Sequence, residues 1–489
     1  MSDANYDCCI IGAGVIGCAI ARQLAQYQLK TLVIERDADV CSGTSKANSG
    51  IIHAGYDATP GSLKAKLNVA GNPLFDRVCA DLKVPYGRLG TFVVAITDEG
   101  ISDLQKLKQK GTKNGVPKLE VITDRTRIKK MEPRLTDKAT GVLFAPTGGI
   151  VSPYDLTIGL AENANVNGVE FLFNSEVTSI QIKENYKEVQ TSTITVRSKI
   201  IINAAGVYAD KISAMVGLDY FSIHPRRGQY ILLDKKTVEL NHVLFPLPTK
   251  VSKGIVVSPT TEKHVYLGPN AQDLADKEDK STTTEGLLEI IEGGRKLIPD
   301  LPLQQAIVTY AGLRAVSNTD DFIIEPTKIN GFINVAGIQS PGLSSCLAIA
   351  EYVVQILKKL GLKLVSNPKF NPIREKPPRF AVLSNEERHQ LIQEIPEYGN
   401  ILCRCEHVSE AEIKAAIHRP LGAKTLDGVK FRTRAQMGRC HGGFCTSRLL
   451  KLLADELNCP VEELSKRGPK TELIIGKTKD LRGAKTETN

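Results

Sequence analysis

The sequence predicts an α/β protein: a Rossmann-like dinucleotide-binding domain with an inserted antiparallel β-sheet domain, followed by a small α-helical domain. Three observations carry this. An apolar run near the N-terminus leads through Gly12-Ala13-Gly14-Val15-Ile16-Gly17 into a helix-period segment. Strand, turn and helix patterns return at 199–210 and at 331–357. Four cysteines, Cys403, Cys405, Cys440 and Cys445, stand in two tight pairs towards the C-terminal end.

The first element is YDCCII, residues 6–11, a short apolar run that reads as a buried strand. The glycines follow and open a helix to about Tyr27. TLVIE then forms a second strand ending at Glu35. A strand, G-x-G-x-x-G, helix, strand and terminal acid together make a dinucleotide fingerprint. Gly12, Gly14 and Gly17 let the backbone approach a pyrophosphate at the helix N-terminus, where free N–H groups favour anions. Glu35 follows Gly14 by 21 residues, the spacing expected of a ribose-binding carboxylate.

The dinucleotide is FAD rather than NAD by organisation. An NAD domain would continue with further βα repeats, whereas here the chain leaves at once into SGTSKANSGIIHAGYDATPGSLKAKL. Strand patterns return later in VEFLFNSEVTSI and KIIINAAGVYAD. The last unit, GFINVAGIQSPGLSSCLAIAEYVVQIL, is a strand, a Gly-rich turn and a helix starting near Pro341. That second helix N-terminus would face the flavin and stabilise the anion formed on reduction. Two inserts, about 80–145 and 220–310, hold strand patterns such as GQYILLD and KHVYLG and predict an antiparallel sheet over the flavin. Residues 366–400, with Pro and charge clusters, read as a linker. Residues 401–460 read as the cysteine domain and 461–489 as a basic tail.

Composition bounds the rest. A length of 489 residues predicts about three domains, and 42% apolar with 24% charged residues fits a globular protein. No apolar stretch approaches the ~20 residues of a membrane helix. The first strand begins by Tyr6, leaving no room for a signal peptide, so a cytoplasmic enzyme is expected. The net charge is +9, and most of the excess falls in the last 89 residues. It is either a solvated basic surface or a docking face for an acidic redox partner or an anionic membrane. Nucleic acid is excluded as a partner: Trp is absent and aromatics are 5%. Cys8, Cys9, Cys18, Cys79 and Cys346 lie in apolar runs and read as buried small hydrophobes. Cys41, in a Gly/Ser-rich stretch, is less defined, and the unpaired Cys459 reads as structural.

With these features in place, residues 1–365 resemble the FAD-dependent oxidoreductases of the D-amino-acid oxidase superfamily. That group includes glycerol-3-phosphate dehydrogenases, L-2-hydroxyglutarate dehydrogenases and amine oxidases. Residues 401–450 resemble the bacterioferritin-associated-ferredoxin-like [2Fe-2S] domain, and the whole arrangement resembles anaerobic glycerol-3-phosphate dehydrogenase A subunits. NSGIIHAGYD…PGSLKAKL and PRRGQYILL are also similar to L-2-hydroxyglutarate dehydrogenases. The resemblance implies a Rossmann-like FAD-binding domain with an inserted substrate domain. It places flavin contacts at Gly12, Gly14, Gly17, Glu35, Ser45, Val177, Ala205, Gly206, Gly337, Gly342 and Leu343.

Oxidation of a secondary alcohol needs a base for the hydroxyl proton and cations for the anionic end of the substrate. His53 lies in the loop that, by resemblance, runs under the flavin; it is either the base or a histidine that orients the loop. Arg314, in TYAGLRAVSNTDDF, stands where the family places a substrate arginine, and a guanidinium binds phosphate or carboxylate in bidentate fashion. Arg227, in HPRRGQY, is the second anion clamp, with Arg226 able to exchange roles with it. Tyr56 is either a further pocket residue or an ordinary loop aromatic, and Lys46 and Ser45, near the flavin loop, rank behind it.

Four cysteines can hold zinc or a [2Fe-2S] cluster. The C-x-C spacing and the resemblance favour the cluster. The C-x4-C pair, with Gly442 and Gly443 inside it, resembles the glycerol-3-phosphate dehydrogenase version rather than the shorter C-x2-C prototype. Arg432, Arg434 and Arg439 are expected to offset thiolate charge. The expected activity is oxidation of sn-glycerol 3-phosphate to dihydroxyacetone phosphate with hydride transfer to flavin N5. Electrons would leave through the cluster to partner subunits or a quinone-linked acceptor, any membrane association being peripheral and through the partner. L-2-hydroxyglutarate or another 2-hydroxy acid, and an amine or imino acid, are the alternative substrates.

Overall fold

The computed structural model describes residues 5–235, 237–248, 254–476 and 478. The chain forms two compact units. The first runs to Arg374 without Asp37–Asp39, and the second is Glu375 onward with Asp37–Asp39.

The first unit holds the expected Rossmann-like sheet. Asn5–Ile11 lies at its centre, parallel to Thr31–Ile34 on one side and Thr195–Asn203 on the other. Glu170–Leu172 and Phe332–Ala336 extend it, also parallel. Cys8, Cys9 and Ile10 are fully buried, as a strand covered on both faces requires. Helices Val15–Leu24, Pro153–Val166 and Gly342–Lys359 pack together against this sheet. Cys8, Cys9, Cys18, Cys79 and Cys346 are buried, and burial pushes the Cys8 and Cys79 thiols up to about 12.

The inserts form a nine-stranded sheet that is mixed rather than purely antiparallel. Thr91–Ala95, from the first insert, runs parallel to Val243–Pro246, from the second. No hairpin joins the two, so nothing obliges them to be antiparallel. The boundaries also differ from expectation. Tyr86–Gly87 leaves to pair with Gly149–Val151 in a separate three-stranded sheet with Ile51–Ile52. Strand Ala306–Ser317 extends the second insert past 310 and pairs with Ile223–Leu233 along nearly its whole length. Helix Thr284–Leu297 covers one face, through Ile290 and Leu297 against Val257 and Leu267. Helix Glu99–Lys113 covers the other, through Leu104 and Leu107 against Val93 and Tyr266.

The stretch 366–400 is structured rather than a linker. Up to Arg374 it straps the first unit: the Asn367 N–H donates to Gln26 O at 2.8 Å and the Arg374 N–H to Asp81 O at 2.9 Å. The buried Arg374 guanidinium pairs with Asp155 at 3.0 Å and Glu162 at 2.7 Å. Beyond it, Ser384 and Glu387 form a capping box that starts helix Asn385–Glu394. Two of the charges that suggested a solvated linker are structural: Arg374 in its buried pairs and Glu387 in the helix cap.

The second unit is small and mainly helical. A hairpin, Ile401–Cys403 with Val408–Ser409, precedes helices Glu410–His418, Leu426–Thr433 and Thr446–Leu457. Leu402, Ile413, Ile417, Val429, Leu449 and Leu453 make its core. The expected tail begins as folded chain: Leu464 is buried in that core and Ser465 bridges to Glu472. Residues 477 and 479–489 of that tail lie outside the described residues. Among the described residues no helix is long and apolar enough to cross a membrane.

Candidate active site and cofactor sites

The glycine turn is shaped by close approaches. Gly12 has φ +106°, and a Cβ there would lie 2.5 Å from Ala204 O; one at Gly17 would lie 1.9 Å from Gly12 O. Gly14 precedes helix Val15–Leu24 and offers it no side-chain cap. The Val15 N–H donates to Ser45 Oγ at 2.9 Å and the Ala13 N–H to Glu35 Oε2 at 2.7 Å. Both sequence-predicted partners, Ser45 and Glu35, thus stand at the mouth of the turn. Helix Gly342–Lys359 also starts without a side-chain cap, after Gly337 at φ +65°. Gly206, at φ +57°, opens into space where a Cβ would meet nothing within 4 Å. It follows Ala205 at the end of the strand Thr195–Asn203. Leu343 lies in the first turn of the last helix, and Val177 is buried in the core beneath the sheet. Two helix starts led by glycine-rich turns and a Cβ-free cradle suit a dinucleotide with an anionic centre.

His53 is fixed through its backbone. Its N–H donates to Ser344 Oγ at 2.8 Å, and its carbonyl accepts from Asn72 Nδ2 at 3.0 Å and Asn68 Nδ2 at 3.3 Å. Its Nε2 lies 3.4 Å from Ser340 Oγ, in the turn before the last helix, and its ring 5.8 Å from that of Phe245. The histidine therefore faces the turn that the resemblance assigns to the flavin.

Strand register sorts the arginines. Arg226 stands opposite Arg314, and Tyr230 opposite Tyr310 with stacked rings 4.7 Å apart. These four share one face. That face meets the loop after Cys41: a Cβ on Gly312 would lie 1.9 Å from Ala47 O, and Ser49 Oγ is 3.5 Å from Tyr230 Oη. The Arg314 guanidinium donates to Asn270 O at 3.0 Å, and burial lowers its pKa from the usual value. Burial raises the Tyr230 phenol, with Arg314 beside it acting in the other direction.

Arg227 points the other way and is no anion clamp. It is buried and donates to Asp279 at 2.9 Å, Ser281 Oγ at 2.7 Å and Gln272 Oε1 at 2.6 Å. The alternate, Arg226, has the right face but is paired in bidentate fashion with Asp273. Tyr56 is a core residue, packed with Leu104, Leu107 and Leu119. The sequence reading passed over Tyr230, Ser49 and Ser344. The signal for Tyr230 was present: period-two alternation in HPRRGQY puts Arg226 and Tyr230 on one face and Arg227 on the opposite one.

In the second unit the cysteines are neighbours across the motifs: Cys403 lies beside Cys445, and Cys405 beside Cys440. The Cys445 contact, with backbone N–H groups of Gln436 and Glu406, lowers the Cys403 thiol against its burial. Among the described residues no three His, Cys, Asp or Glu side chains converge on one point. A mononuclear zinc site would need four sulfurs around one ion, whereas two adjacent pairs fit two irons. Of the arginines expected to offset thiolate charge, Arg434 is bound to Glu406 at 2.8 Å and Arg432 to Asp39 at 2.8 Å. Arg439, next to Cys440, is exposed.

Residues 7–356 match the family described as FAD dependent oxidoreductase, and residues 401–455 the BFD-like [2Fe-2S] binding domain. The chain is 47% identical to the glycerol 3-phosphate dehydrogenase of Caloramator mitchellensis, over 97% of this chain and 99% of that one. It is 33% identical to the glycerol 3-phosphate oxidase of Mycoplasma genitalium, over 75% of this chain and 98% of the relative. Among solved structures, the dithionite-reduced L-alpha-glycerophosphate oxidase of Mycoplasma pneumoniae with FAD bound superimposes with a TM-score of 0.72 at 31% identity. It covers 77% of this chain and 100% of its own. The glycine cradle, the two glycine-led helix starts and these likenesses agree: the chain belongs to the FAD dependent oxidoreductase family and carries a C-terminal BFD-like [2Fe-2S] domain.

Proposed function

We propose that this protein is an FAD-dependent sn-glycerol 3-phosphate dehydrogenase that forms dihydroxyacetone phosphate and gives its electrons to a partner or quinone-linked acceptor. The observation that carries the reading is the joining of an arginine-bearing flavin face and a paired-cysteine unit in one chain. The Caloramator relative, matched over nearly its whole length, shares that extent.

FAD, when bound, supplies the two-electron acceptor that takes a hydride at N5. The residues of this chain do the rest. Arg314 binds the phosphate, its position set by the strand pair and its charge undiluted by bulk water. Tyr230, on the same face, donates its hydroxyl to the same anion and closes that side of the pocket. His53 Nε2 takes the hydroxyl proton as the carbon loses its hydride, so the alcohol becomes a ketone with one proton and one hydride removed. Ser344, Asn72 and Asn68 hold the His53 backbone so that the ring keeps its place.

Anaerobic addition of glycerol 3-phosphate, L-2-hydroxyglutarate and L-proline to separate samples tests the assignment. Bleaching by glycerol 3-phosphate first and fastest is expected. Bleaching by hydroxyglutarate with glycerol 3-phosphate inert would move the assignment to the 2-hydroxy acids.

A further inference from the structure

We propose that the exposed face around the cysteine loops of the second unit is a docking surface for an acidic one-electron carrier protein. This deepens the reading of that unit as the exit for electrons and rests on it. The face is set by residues interleaved with the cysteines. Arg404 lies between Cys403 and Cys405, Arg439 precedes Cys440, and Arg448 lies in the first turn of the helix that follows Cys445. Within segments 401–408 and 435–451 every exposed charged side chain is cationic: Arg404, Arg439, Arg448 and Lys451. The single carboxylate there, Glu406, is buried and bound to Arg434.

One large aromatic stands among these cations. Phe444, immediately before Cys445, is 81% exposed. An isolated exposed aromatic alone would mean little. Set among exposed cations along the cysteine segments, it supplies the apolar anchor that an interface places within a polar rim. Cys405 and Cys440 are half-buried, while Cys403 and Cys445 are buried. The two less buried cysteines each directly follow an exposed arginine, Arg404 and Arg439. A carrier gains from reaching that pair, and a bilayer does not, so a protein is favoured over anionic lipid. A positive face draws an acidic protein by long-range attraction and speeds its encounter. Each encounter moves one electron from the reduced centre and reduces one carrier, so two carriers are consumed for each alcohol oxidised.

Calorimetric binding of an acidic [2Fe-2S] ferredoxin to the holoenzyme tests this, at low and high ionic strength. Cytochrome c, a basic carrier, and phosphatidylglycerol vesicles run beside it. Saturable ferredoxin binding that fades with salt is expected, with no binding of cytochrome c. Arg404→Glu with Arg448→Glu should weaken it at least about tenfold, and Phe444→Ala severalfold. Arg448→Glu with Lys451→Glu leaves the cysteine loops untouched and should act in the same direction. Cluster absorbance confirms each variant intact. The proposal is overturned by absent ferredoxin binding, by affinity unchanged in both charge-reversal pairs, or by vesicle binding that these variants abolish while ferredoxin stays bound. Binding is read without substrate, so a wrong choice of alcohol and a wrong docking face give separate failures.

Discussion

Arg226 and Arg227 are neighbours in sequence and opposites in role. A pleated strand turns successive side chains to opposite faces, so only one of them can share the face of Arg314. HPRRGQY showed two anion clamps to choose between, and what decides is the register with Ala306–Ser317, which no local pattern reveals. Arg314 and His53 come from resemblance to the family rather than from a local pattern, whereas core packing takes up Tyr56 as a loop aromatic. Arg314→Ala should lower kcat/KM for glycerol 3-phosphate by about 10- to 100-fold, the loss of a hydrogen bond to a charged group. The change should fall mainly on KM, with flavin absorbance retained, and Arg314→Lys should recover part of it. At His53 the prediction separates two roles. Loss of a general base costs about 10²–10⁴ in rate, so His53→Asn should show such a fall in anaerobic flavin reduction and lose the acidic limb of the pH profile. A merely orienting histidine would leave that limb in place.

Two elements show why charge clusters mislead. The segment around 272–281 joins strand Gln272–Asp273 to the helix that begins after Thr283, and ions hold it to the rest of the unit. Lys277 meets Asp210 at 2.6 Å, Arg36 meets Glu278 at 2.7 Å, and Arg227 meets Asp279 at 2.9 Å. Burial opposes ionisation of Glu278, but hydrogen bonds with Tyr208, Arg36 and Lys280 overcome it and hold its pKa at about 2. A carboxyl depressed in the folded state stabilises it above the ordinary pKa and ceases to do so as the folded-state pKa is crossed. Protection of the amides in 274–283, relative to their intrinsic exchange at each pH, should therefore fall as pH falls from about 4.5 towards about 2, and Glu278→Gln should show the lower protection already at neutral pH. The strap ending at Arg374 is the stronger case, because its guanidinium and both carboxylates are buried. Arg374→Met leaves Asp155 and Glu162 without their cation and should cost about 3–5 kcal/mol, read as a lower urea midpoint. In the sequence the first is a charge-rich stretch and the second combines Pro368 and Pro372 with charge. Composition predicts solvation there; only the folded partners make them structure.

At the scale of the whole molecule, the division of the chain at Arg374 coincides with a division of labour. The parallel sheet, its glycine turn and both ends of the chemistry lie before that residue. All four cysteines lie after it, on a separate core. The Rossmann-like part was readable because its glycines and apolar strands obey short-range rules. The mixed sheet was not, since a parallel contact between two inserts depends on how distant segments meet. The first unit is compact in its own right, and the solved oxidase matched over its whole length covers 77% of this chain. A chain ending at Arg374 should then be soluble, bind FAD and be bleached by glycerol 3-phosphate anaerobically at nearly the rate of the full chain, because no residue assigned to the alcohol is lost. What should fall is turnover with a one-electron protein acceptor, by about tenfold or more, the scale on which a steered encounter is lost. Stopped-flow bleaching and steady-state acceptor reduction, measured on the same two proteins, separate these steps. If both rates fall together the second unit supports the flavin site itself; if neither falls, electrons leave the flavin without it.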